Sequence, residues 1–560
     1  MPELPAKPKP SKAGAHLNVH NAVVGLRGRD LLSTLRQLAL HSVKRPLHTA
    51  RHAQALGSQL GRILLGDQPY SVNPKDARFK DPSWQHNPVY QRTLQGYLAC
   101  RQQLSAWVND SQLSADDQAR AHFVLSQLGD ALAPSNSPLN PLVLKELFNT
   151  GGASLLRGLN HLYDDLLNNH GLPSQVSKHA FEVGRNLAAT GGAVVFRNEL
   201  LELIQYKPMT EKQYAKPLLI VPSQINKFYI FDLASDNSFV QYALKNGLQT
   251  FIVSWRNPDP RHREWGLSSY VHALEQALDA CLQITASKSL NLLGACAGGL
   301  TSAALQGHLQ GKRMLRKVAS ASYMVSLLDS QIDSPALLFA DELSIEAAKR
   351  RSYQQGVLEG RDMARIFAWM RPNELIWHYW INNYLLGKEP PAFDILYWNN
   401  DNTRLPAALH GELIDFFKYN PLTRAGALEV CGTPVDLSKV KVDSFTVAGC
   451  NDHITPWDAV YRSASLLGGK REFVLANSGH IQSILNPPGH PKAGYRHSHD
   501  LASDPRAWYH AAEEVKGSWW PAWLSWLQQR SGAQHNIQPR LGSAQHPAMD
   551  AAPGTYVHMR

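Results

Sequence analysis

Several features that would decide a function class are missing from this sequence of 560 residues. No apolar run approaches the roughly 18 residues of a membrane-spanning helix. The lysine-containing start has no apolar segment behind it, so we expect no secretory signal. The five cysteines are scattered without a CxxC pair, which excludes a disulfide framework and favours a reducing cytoplasm. No metal-ligand spacing and no dinucleotide or P-loop glycine pattern is visible, so the sequence predicts no metal and no cofactor.

The positive charge is concentrated at one end of the chain. The formal net charge is +10, and residues 1–66 carry +8 of it. The rest of the chain is nearly neutral and has no nucleic-acid-binding motif, so we expect no nucleic-acid partner. A local basic excess instead indicates an anionic surface or a protein partner.

The sequence predicts a mostly helical N-terminal domain over 1–185. Its Pro- and Lys-rich start, 1–20, is typical of a flexible tail. The segment that follows, 21–66, is basic and amphipathic. No residues of this domain suggest catalytic chemistry.

A leucine stripe in the basic segment has two interpretations. Leu31, Leu35 and Leu38 recur at helical spacing, and Pro46 should divide the segment into two helices. The stripe could lie on a lipid-like surface, or it could pack on its own domain. The pattern alone leaves both interpretations open.

Beyond Gly191 the pattern changes to short apolar runs that alternate with helical stretches. These runs lie at 192–198, 200–206, 217–223, 248–255, 290–295, 442–449 and 471–477. The first two predict a hairpin, and the continuous runs after them predict the strands of a buried, mostly parallel sheet.

The alternation is lost between about 326 and 436, and aromatic residues become frequent there. They are Phe367, Trp369, Trp377, Tyr379, Trp380, Tyr384, Phe393, Tyr397 and Trp398. We interpret this stretch as a cap inserted over the functional edge of the sheet, with simple core packing as the alternative.

The segment GACAGG at 294–299 predicts a nucleophile. It follows an apolar strand and precedes a helical stretch, which is the context of a nucleophile elbow with Cys296 in place of serine. Gly294 and Gly298 suit this turn because larger side chains two positions away would collide with the neighbouring strand and helix. The alternative is a merely buried cysteine.

The remaining members of a catalytic triad should follow in the order acid, then base. Asp452 comes just after one predicted strand and His480 just after the next, so we expect Asp452 to orient His480 and His480 to take the proton of Cys296. His453, beside the acid, is a minor alternative. Cys450 fits better as a buried residue at the strand end.

An oxyanion hole should accompany the nucleophile. One donor is expected to be the backbone N–H of Ala297, the residue after Cys296. The second should come from the loop after the strand at 217–223, where Ile225 is a guess among neighbours. An ordinary turn is the alternative for that loop.

These elements together predict the fold class. We expect an α/β-hydrolase catalytic domain over 186–560, with the cap insertion at about 326–436, preceded by the helical N-terminal domain. The elbow and triad alone do not distinguish a transferase from a Cys-based hydrolase or thioesterase. A non-catalytic coat protein of a lipid surface fits the basic N-terminal segment, but it does not explain a complete triad in the correct order.

Several long segments resemble the polyhydroxyalkanoate synthases. They are GACAGG, NDHITPW, SGHIQSILNPP, PAFDILYWNNDNTRLP, NGLQTFIVSWRNPD and the early GLRGRDLL. The resemblance extends over essentially the whole chain. The segments are similar to those of the single-subunit, class II, medium-chain type of pseudomonads. The three predicted triad residues match the family's pattern.

The resemblance implies a polymerase that transfers (R)-3-hydroxyacyl groups from coenzyme A to a growing polyester and releases CoA. It implies work in the cytoplasm at the surface of polymer granules, as a homodimer, with granule-associated proteins as further partners. A cysteine suits a thioester substrate, since exchange of one thioester for another is nearly balanced in free energy. Whether His480 or Asp452 activates the acceptor hydroxyl stays open, and so does the preferred acyl length.

The resemblance also gives the leucine stripe a candidate role. We expect residues 1–66 to hold the enzyme on its hydrophobic product, with Leu31, Leu35 and Leu38 as the adsorbing face. All triad residues lie beyond position 290, so this segment should not build the active site.

Overall fold

The computed structural model describes residues 28–73, 76–169, 171–177, 179–331, 342–370, 372–498, 501, 504–537 and 540–560. The predicted tail over 1–20 lies outside these residues. The chain divides into two compact units. The first takes Met1–Ser177, Ser334–Ser344 and Ala364–Pro391, and the second takes Lys178–Asp333, Ile345–Met363 and Ala392–Arg560.

The first unit is helical in its described residues. Its helices before the second unit are α1 (Gly28–Lys44), α2 (Pro46–Leu65), α3 (Ser83–His86), α4 (Pro88–Asn109), α5 (Ala115–Ala131), α6 (Pro141–Asn149) and α7 (Ala153–Asn168). Pro46 divides α1 from α2, as predicted, and occupies the first turn of α2, where a missing N–H costs nothing. Two π-helical segments, Asn373–Trp377 and Trp380–Leu385, also belong to this unit, as does most of the helix at Gly360–Met370.

The leucine stripe of α1 is part of the core of the first unit. Leu31 and Leu35 pack against Phe123 of α5, and Leu38, only 6% exposed, packs with Trp107 of α4. The expectation that this face adsorbs to the product is therefore wrong, and the alternative interpretation, packing on its own domain, is right. The spacing identified an apolar face correctly but carried no information about what covers it.

The second unit is built on strands. They are β1 (Gly192–Arg197), β2 (Leu201–Tyr206), β3 (Lys212–Tyr214), β4 (Leu218–Val221), β5 (Thr250–Trp255), β6 (Leu290–Ala295), β7 (Val318–Met324), β8 (Val357–Leu358), β9 (Leu405–Pro406), β10 (Glu429–Val430), β11 (Thr433–Pro434), β12 (Asp443–Gly449), β13 (Arg471–Ala476), β14 (Gly494–Ser498), β15 (Glu513–Lys516) and β16 (Gln534–Asn536). In the described residues, ten of them form one sheet in the order β1-β2-β5-β4-β6-β7-β12-β13-β14-β15.

The centre of this sheet is parallel and both of its edges are antiparallel. Strands β5, β4, β6, β7, β12 and β13 pair in parallel, whereas β1 and β2 form the predicted hairpin. Strands β14 and β15 extend the other edge in antiparallel order. These two were missed, because neither contains an apolar run and their side chains are half-buried or exposed. His480 therefore follows the last parallel strand and not the last strand of the sheet.

Helices connect these strands and continue through the insertion. They are α8 (Phe239–Lys245), α9 (Leu267–Thr285), α10 (Ala297–Gly311), α11 (Glu342–Gln355), α12 (Gly360–Met370), α13 (Asp394–Asn400), α14 (Ala407–Tyr419), α15 (Trp457–Ser465), α16 (His480–Ile484), α17 (Pro505–Ala511) and α18 (Trp520–Gln528). Among the described residues, no helix is long and apolar enough to cross a membrane.

The predicted cap corresponds to the stretch between β7 and β12, and its aromatic residues have two destinations. Trp380 packs with Val143 and Ile381 inside the first unit. Trp398 belongs to the core of the second unit, and its indole N–H donates to the carbonyl of Lys227 at 2.7 Å. For these two tryptophans, core packing is the observed role.

Candidate active site

Cys296 occupies a strained turn between β6 and α10. Its backbone has φ 51° and ψ −124°, a conformation that residues other than glycine rarely adopt. The N–H of Cys296 donates to the carbonyl of Met324 at 2.9 Å, which ties the turn to the end of β7. The side chain is thereby presented at the carboxyl edge of the parallel strands, where α/β folds place their reactive groups.

The glycines around the turn are required by close backbone contacts. A Cβ atom on Gly294 would lie 2.6 Å from the Cα of Gly299, and one on Gly298 would overlap the carbonyl oxygens of Val221 and Pro222. The spacing GxCxG therefore brings strand and helix closer together than a side chain would allow. The predicted reason for these two glycines is confirmed.

The loops after β12 and β13 bring Asp452 and His480 together. The Nδ1–H of His480 donates to Asp452 Oδ2 at 2.7 Å, and the side chain of Cys296 lies near enough to the imidazole to help raise its pKa. The structure thus brings the three predicted triad residues close to one another, with a hydrogen bond between His480 and Asp452. Both Asp452 and His480 are buried.

The environment shifts the pKa values of the acid and the base in opposite directions. Burial by itself would lower the pKa of His480, but the Asp452 carboxylate and the Cys296 side chain outweigh it and raise this pKa to about 10. Burial would raise the pKa of Asp452, yet the interactions with His480 and Thr455 hold it below its ordinary value. The pair is therefore a buried ion pair at neutral pH, and the imidazole retains a proton strongly.

Thr455 is a site residue that sequence reasoning missed. Its hydroxyl donates to Asp452 Oδ2 at 2.6 Å, and its N–H and that of Ile454 donate to Oδ1 at 2.9 and 2.8 Å. Together with His480, these donors satisfy both carboxylate oxygens. A threonine three residues after an aspartate is a recognisable local hydrogen-bonding pattern, so the signal was present in the sequence.

The two predicted oxyanion-hole donors differ in their present hydrogen bonding. Ala297 is the first residue of α10, where a backbone N–H has no carbonyl partner within the helix. The N–H of Ile225 donates to Ser223 Oγ at 3.1 Å. The N–H of Ile225 can therefore donate to an oxyanion only if its hydrogen bond to Ser223 Oγ is broken.

The loop that contains Ile225 is held from two sides within the second unit. The hydroxyl of Thr403 lies 2.7 Å from the carbonyl of Gln224 and 2.6 Å from that of Ile225. On the other side, the ammonium group of Lys227 donates to the carbonyl of Met559 at 2.6 Å. Segments far apart in the sequence thus fix this loop, which no local pattern could have indicated.

Of the two neighbours of the acid, Cys450 has surroundings that fit a structural role. Cys450 is partly buried and packs against a core cluster beside β12 and β13, and burial raises the pKa of its thiol. These surroundings agree with a structural residue at a strand end. His453 is half-buried, and the histidine whose ring lies 2.7 Å from the acid is His480.

Comparison with known proteins identifies relatives along the whole chain. A family model described as poly-beta-hydroxybutyrate polymerase N-terminus matches residues 75–243, and one described as alpha/beta hydrolase fold matches 217–487. The second match and the strand order confirm the predicted fold class.

Three curated proteins are similar over most of their length. Poly(3-hydroxyalkanoate) polymerase 2 of Ectopseudomonas oleovorans is 68% identical over 560 residues, which is 100% of each chain. Polymerase 1 of the same organism is 56% identical and covers 96% of each chain. The poly(3-hydroxyalkanoate) polymerase of Methylorubrum extorquens is 39% identical and covers 87% of this chain and 81% of its own.

Proposed function

Because the chain belongs to the poly(3-hydroxyalkanoate) polymerases, we propose that it transfers (R)-3-hydroxyacyl groups of medium length from coenzyme A to a growing polyester, with Cys296 as the nucleophile. The proposed activity rests on the similarity to polymerase 2 of Ectopseudomonas oleovorans over the full length of both chains. The hydrogen bond between His480 and Asp452, together with the proximity of Cys296 to His480, supports the assignment of the residues.

The first half of the reaction loads the enzyme. The Cys296 thiolate, whose proton His480 holds, attacks the carbonyl carbon of the acyl-CoA thioester. The resulting oxyanion accepts hydrogen bonds from backbone N–H groups, with Ala297 as the first donor. The carbonyl then reforms, CoA leaves, and His480 returns the proton to the departing thiolate. The products are CoA and an acyl group in thioester linkage to Cys296.

The second half transfers the acyl group to an alcohol. The 3-hydroxyl of another acyl unit attacks the Cys296 thioester, an ester bond forms, and the thiol of Cys296 is released. A base must take the hydroxyl proton. We assign this step to His480 as well, because the oxygens of Asp452 are buried and already accept hydrogen bonds from Ile454, Thr455 and His480. Asp452 then acts by holding the imidazole in orientation.

The same proposal includes the place of work. We expect the enzyme to act in the cytoplasm, at the surface of polymer granules, as a homodimer. The product of the reaction is an uncharged, water-insoluble polyester, so the enzyme must remain at the boundary between this phase and water. No helix in the described part of the chain could span a membrane instead.

A single assay tests the reaction and the acyl preference. The purified full-length chain is supplied with (R)-3-hydroxydecanoyl-CoA or (R)-3-hydroxybutyryl-CoA, and free CoA, insoluble polyester and soluble 3-hydroxy acid are measured. We expect CoA and insoluble polyester to form together, faster from the decanoyl thioester, and neither to form with Cys296→Ala. Soluble acid in the same amount as CoA would identify a thioesterase. Faster polymer formation from the butyryl thioester would disprove the medium-chain preference.

A further inference from the structure

Helix α7 in the first unit presents an apolar face to solvent. Six of its side chains are between 47% and 67% exposed. They are Leu155, Leu156, Leu159, Tyr163, Leu166 and Leu167. On the adjoining helix α6, Phe148 is 84% exposed and Leu142 is 43% exposed. A contiguous apolar surface of this kind marks an interaction site, whereas scattered single leucines do not.

The opposite face of α7 anchors the helix. Ser154, Gly158 and Asp165 are buried there, and a side chain on Gly158 would overlap the backbone of Tyr384. The hydroxyl of Tyr384 donates to Asp165 Oδ2 at 2.7 Å. The helix is thus held in the first unit by small and polar residues. The exposed leucines of α7 do not take part in these contacts, unlike Leu38 of α1, which is buried.

The width and charge of the exposed face indicate what covers it. At about 100° per residue, the six exposed side chains fall within an arc of about 120°, which is wider than the seam of a coiled coil. No charged residue lies within this arc. The charged residues of the helix, Arg157, Asp164 and Asp165, lie outside it and do not supply a net positive charge. Such a face suits a broad, uncharged apolar surface better than an anionic membrane.

We propose that the apolar face of α7, together with Leu142 and Phe148 of α6, docks the enzyme on the surface of its own polyester. The inference rests on the proposed function, because that reaction supplies an uncharged aliphatic polymer. The growing chain is covalently held through Cys296, so its surface stays at a high effective concentration around the same protein molecule. Burial of the leucine face then keeps the enzyme at the boundary between polymer and water.

The test uses preformed particles, so that binding is measured apart from synthesis. The probes are washed amorphous particles of medium-chain poly(3-hydroxyalkanoate) and, separately, phosphatidylglycerol vesicles, each sedimented with the full-length chain. The variant is L156Q/L159Q/L166Q in α7. The matched control is L32Q/L47Q/L65Q, which changes three similarly exposed leucines of α1 and α2.

We expect the α7 variant to bind the polyester particles at least about tenfold more weakly, and the control variant to stay within about twofold of the unmodified chain. Because the face is uncharged, raising the salt concentration from about 0.1 to 1 M should not release the unmodified protein. The initial rate of CoA release from soluble substrate should be the same in all three proteins. The single variant Leu159→Asp should reproduce the loss if the triple variant is poorly folded.

Four results would overturn the proposal. Unchanged binding of the folded α7 variant to the particles, or equal losses in both triple variants, would exclude this face as the docking surface. Loss of self-association in light scattering with intact particle binding would assign the face to a second copy of the chain. Loss of vesicle binding alone would assign it to an anionic membrane. Failure of the proposed function is a separate outcome, since it would show as no polymer made by the unmodified chain.

Discussion

The turn around Cys296 and helix α2 use glycine under opposite constraints. In the turn, Gly294 and Gly298 meet backbone atoms of neighbouring segments, so no side chain fits. In α2, a Cβ atom on Gly57 or Gly61 would meet nothing within 4 Å. The turn therefore requires glycine, because no side chain fits there. Helix α2 does not require it, because a side chain at these positions would point into open space. A glycine pattern is informative where backbones approach each other closely, and it means little on an open helix surface.

Cysteine substitutions should show the largest difference in activity between the two units. Cys296→Ala is expected to lower the rate of polymer formation by about 10⁴-fold or more, because the acyl-enzyme cannot form. Cys296→Ser should retain only a small fraction of activity. Cys100→Ala, in α4 of the helical unit, should stay within about twofold. The measurements are CoA release and acyl labelling of the protein. Labelling of Cys296→Ala to the level of the unmodified chain would disprove the assignment of the nucleophile.

The two histidines near the acid give the next largest contrast. His480→Gln should reduce turnover by roughly 10²–10⁴-fold, because Cys296 loses its proton acceptor. His453→Gln should cost less than about tenfold on the same scale. Steady-state rates with one acyl-CoA measure both. The reverse order would move the role of base to His453.

Alanine substitutions of one glycine in the turn and one in α2 test the different constraints on these two sites directly. Gly298→Ala should lower the free energy of unfolding by at least about 2 kcal/mol and distort the turn, because its Cβ overlaps two carbonyl oxygens. Gly61→Ala in α2 should raise it by about 0.5–1 kcal/mol, because alanine favours a helix. Chemical denaturation of the full chain measures both changes. A neutral Gly298→Ala would mean that the elbow can relax without cost.

Leucines of α1 test whether the helical unit has a core of its own. Leu38→Ala removes a buried side chain and should cost roughly 2–5 kcal/mol, whereas Leu32→Ala, at an exposed position, should change stability by less than about 0.5 kcal/mol. Thermal unfolding monitored by circular dichroism distinguishes them. Equal small effects would show that the α1 leucines are not packed.

The smallest expected effect is the pH dependence of the Asp452–His480 pair. The raised pKa of His480 contributes stability that is complete below its ordinary value of about 6.5 and is lost as the pH rises through about 10. The lowered pKa of Asp452 contributes stability above its ordinary value of about 3.9, which is lost in acid. The difference in Tm between the unmodified chain and Asp452→Asn should therefore be largest between about pH 4 and 6.5 and should shrink towards pH 10. A difference independent of pH would contradict a buried ion pair.

The proposed triad residues could be selected from the sequence because each follows a local pattern. An apolar strand, a tight turn and a helix mark Cys296, and the ends of the next parallel strands mark Asp452 and His480. Strand ends at one edge of a parallel sheet must converge, so their order along the chain was enough to bring them together. The antiparallel strands β14 and β15 were not predictable in this way, since pairing with the sheet edge, and not an apolar run, makes them strands.

Sequence alone determined the elbow, the order of acid and base, and the periodicity of the amphipathic helices, because these depend on near neighbours along the chain. Only the tertiary structure decided what each apolar face touches. Leu38 of α1 is covered by α4 and α5, whereas Leu156 of α7, at an equally regular helical spacing, faces solvent. It also decided that Thr403 and Met559 hold the loop of Ile225. Such contacts join residues far apart along the chain, and their geometry depends on how the intervening elements pack rather than on any local pattern.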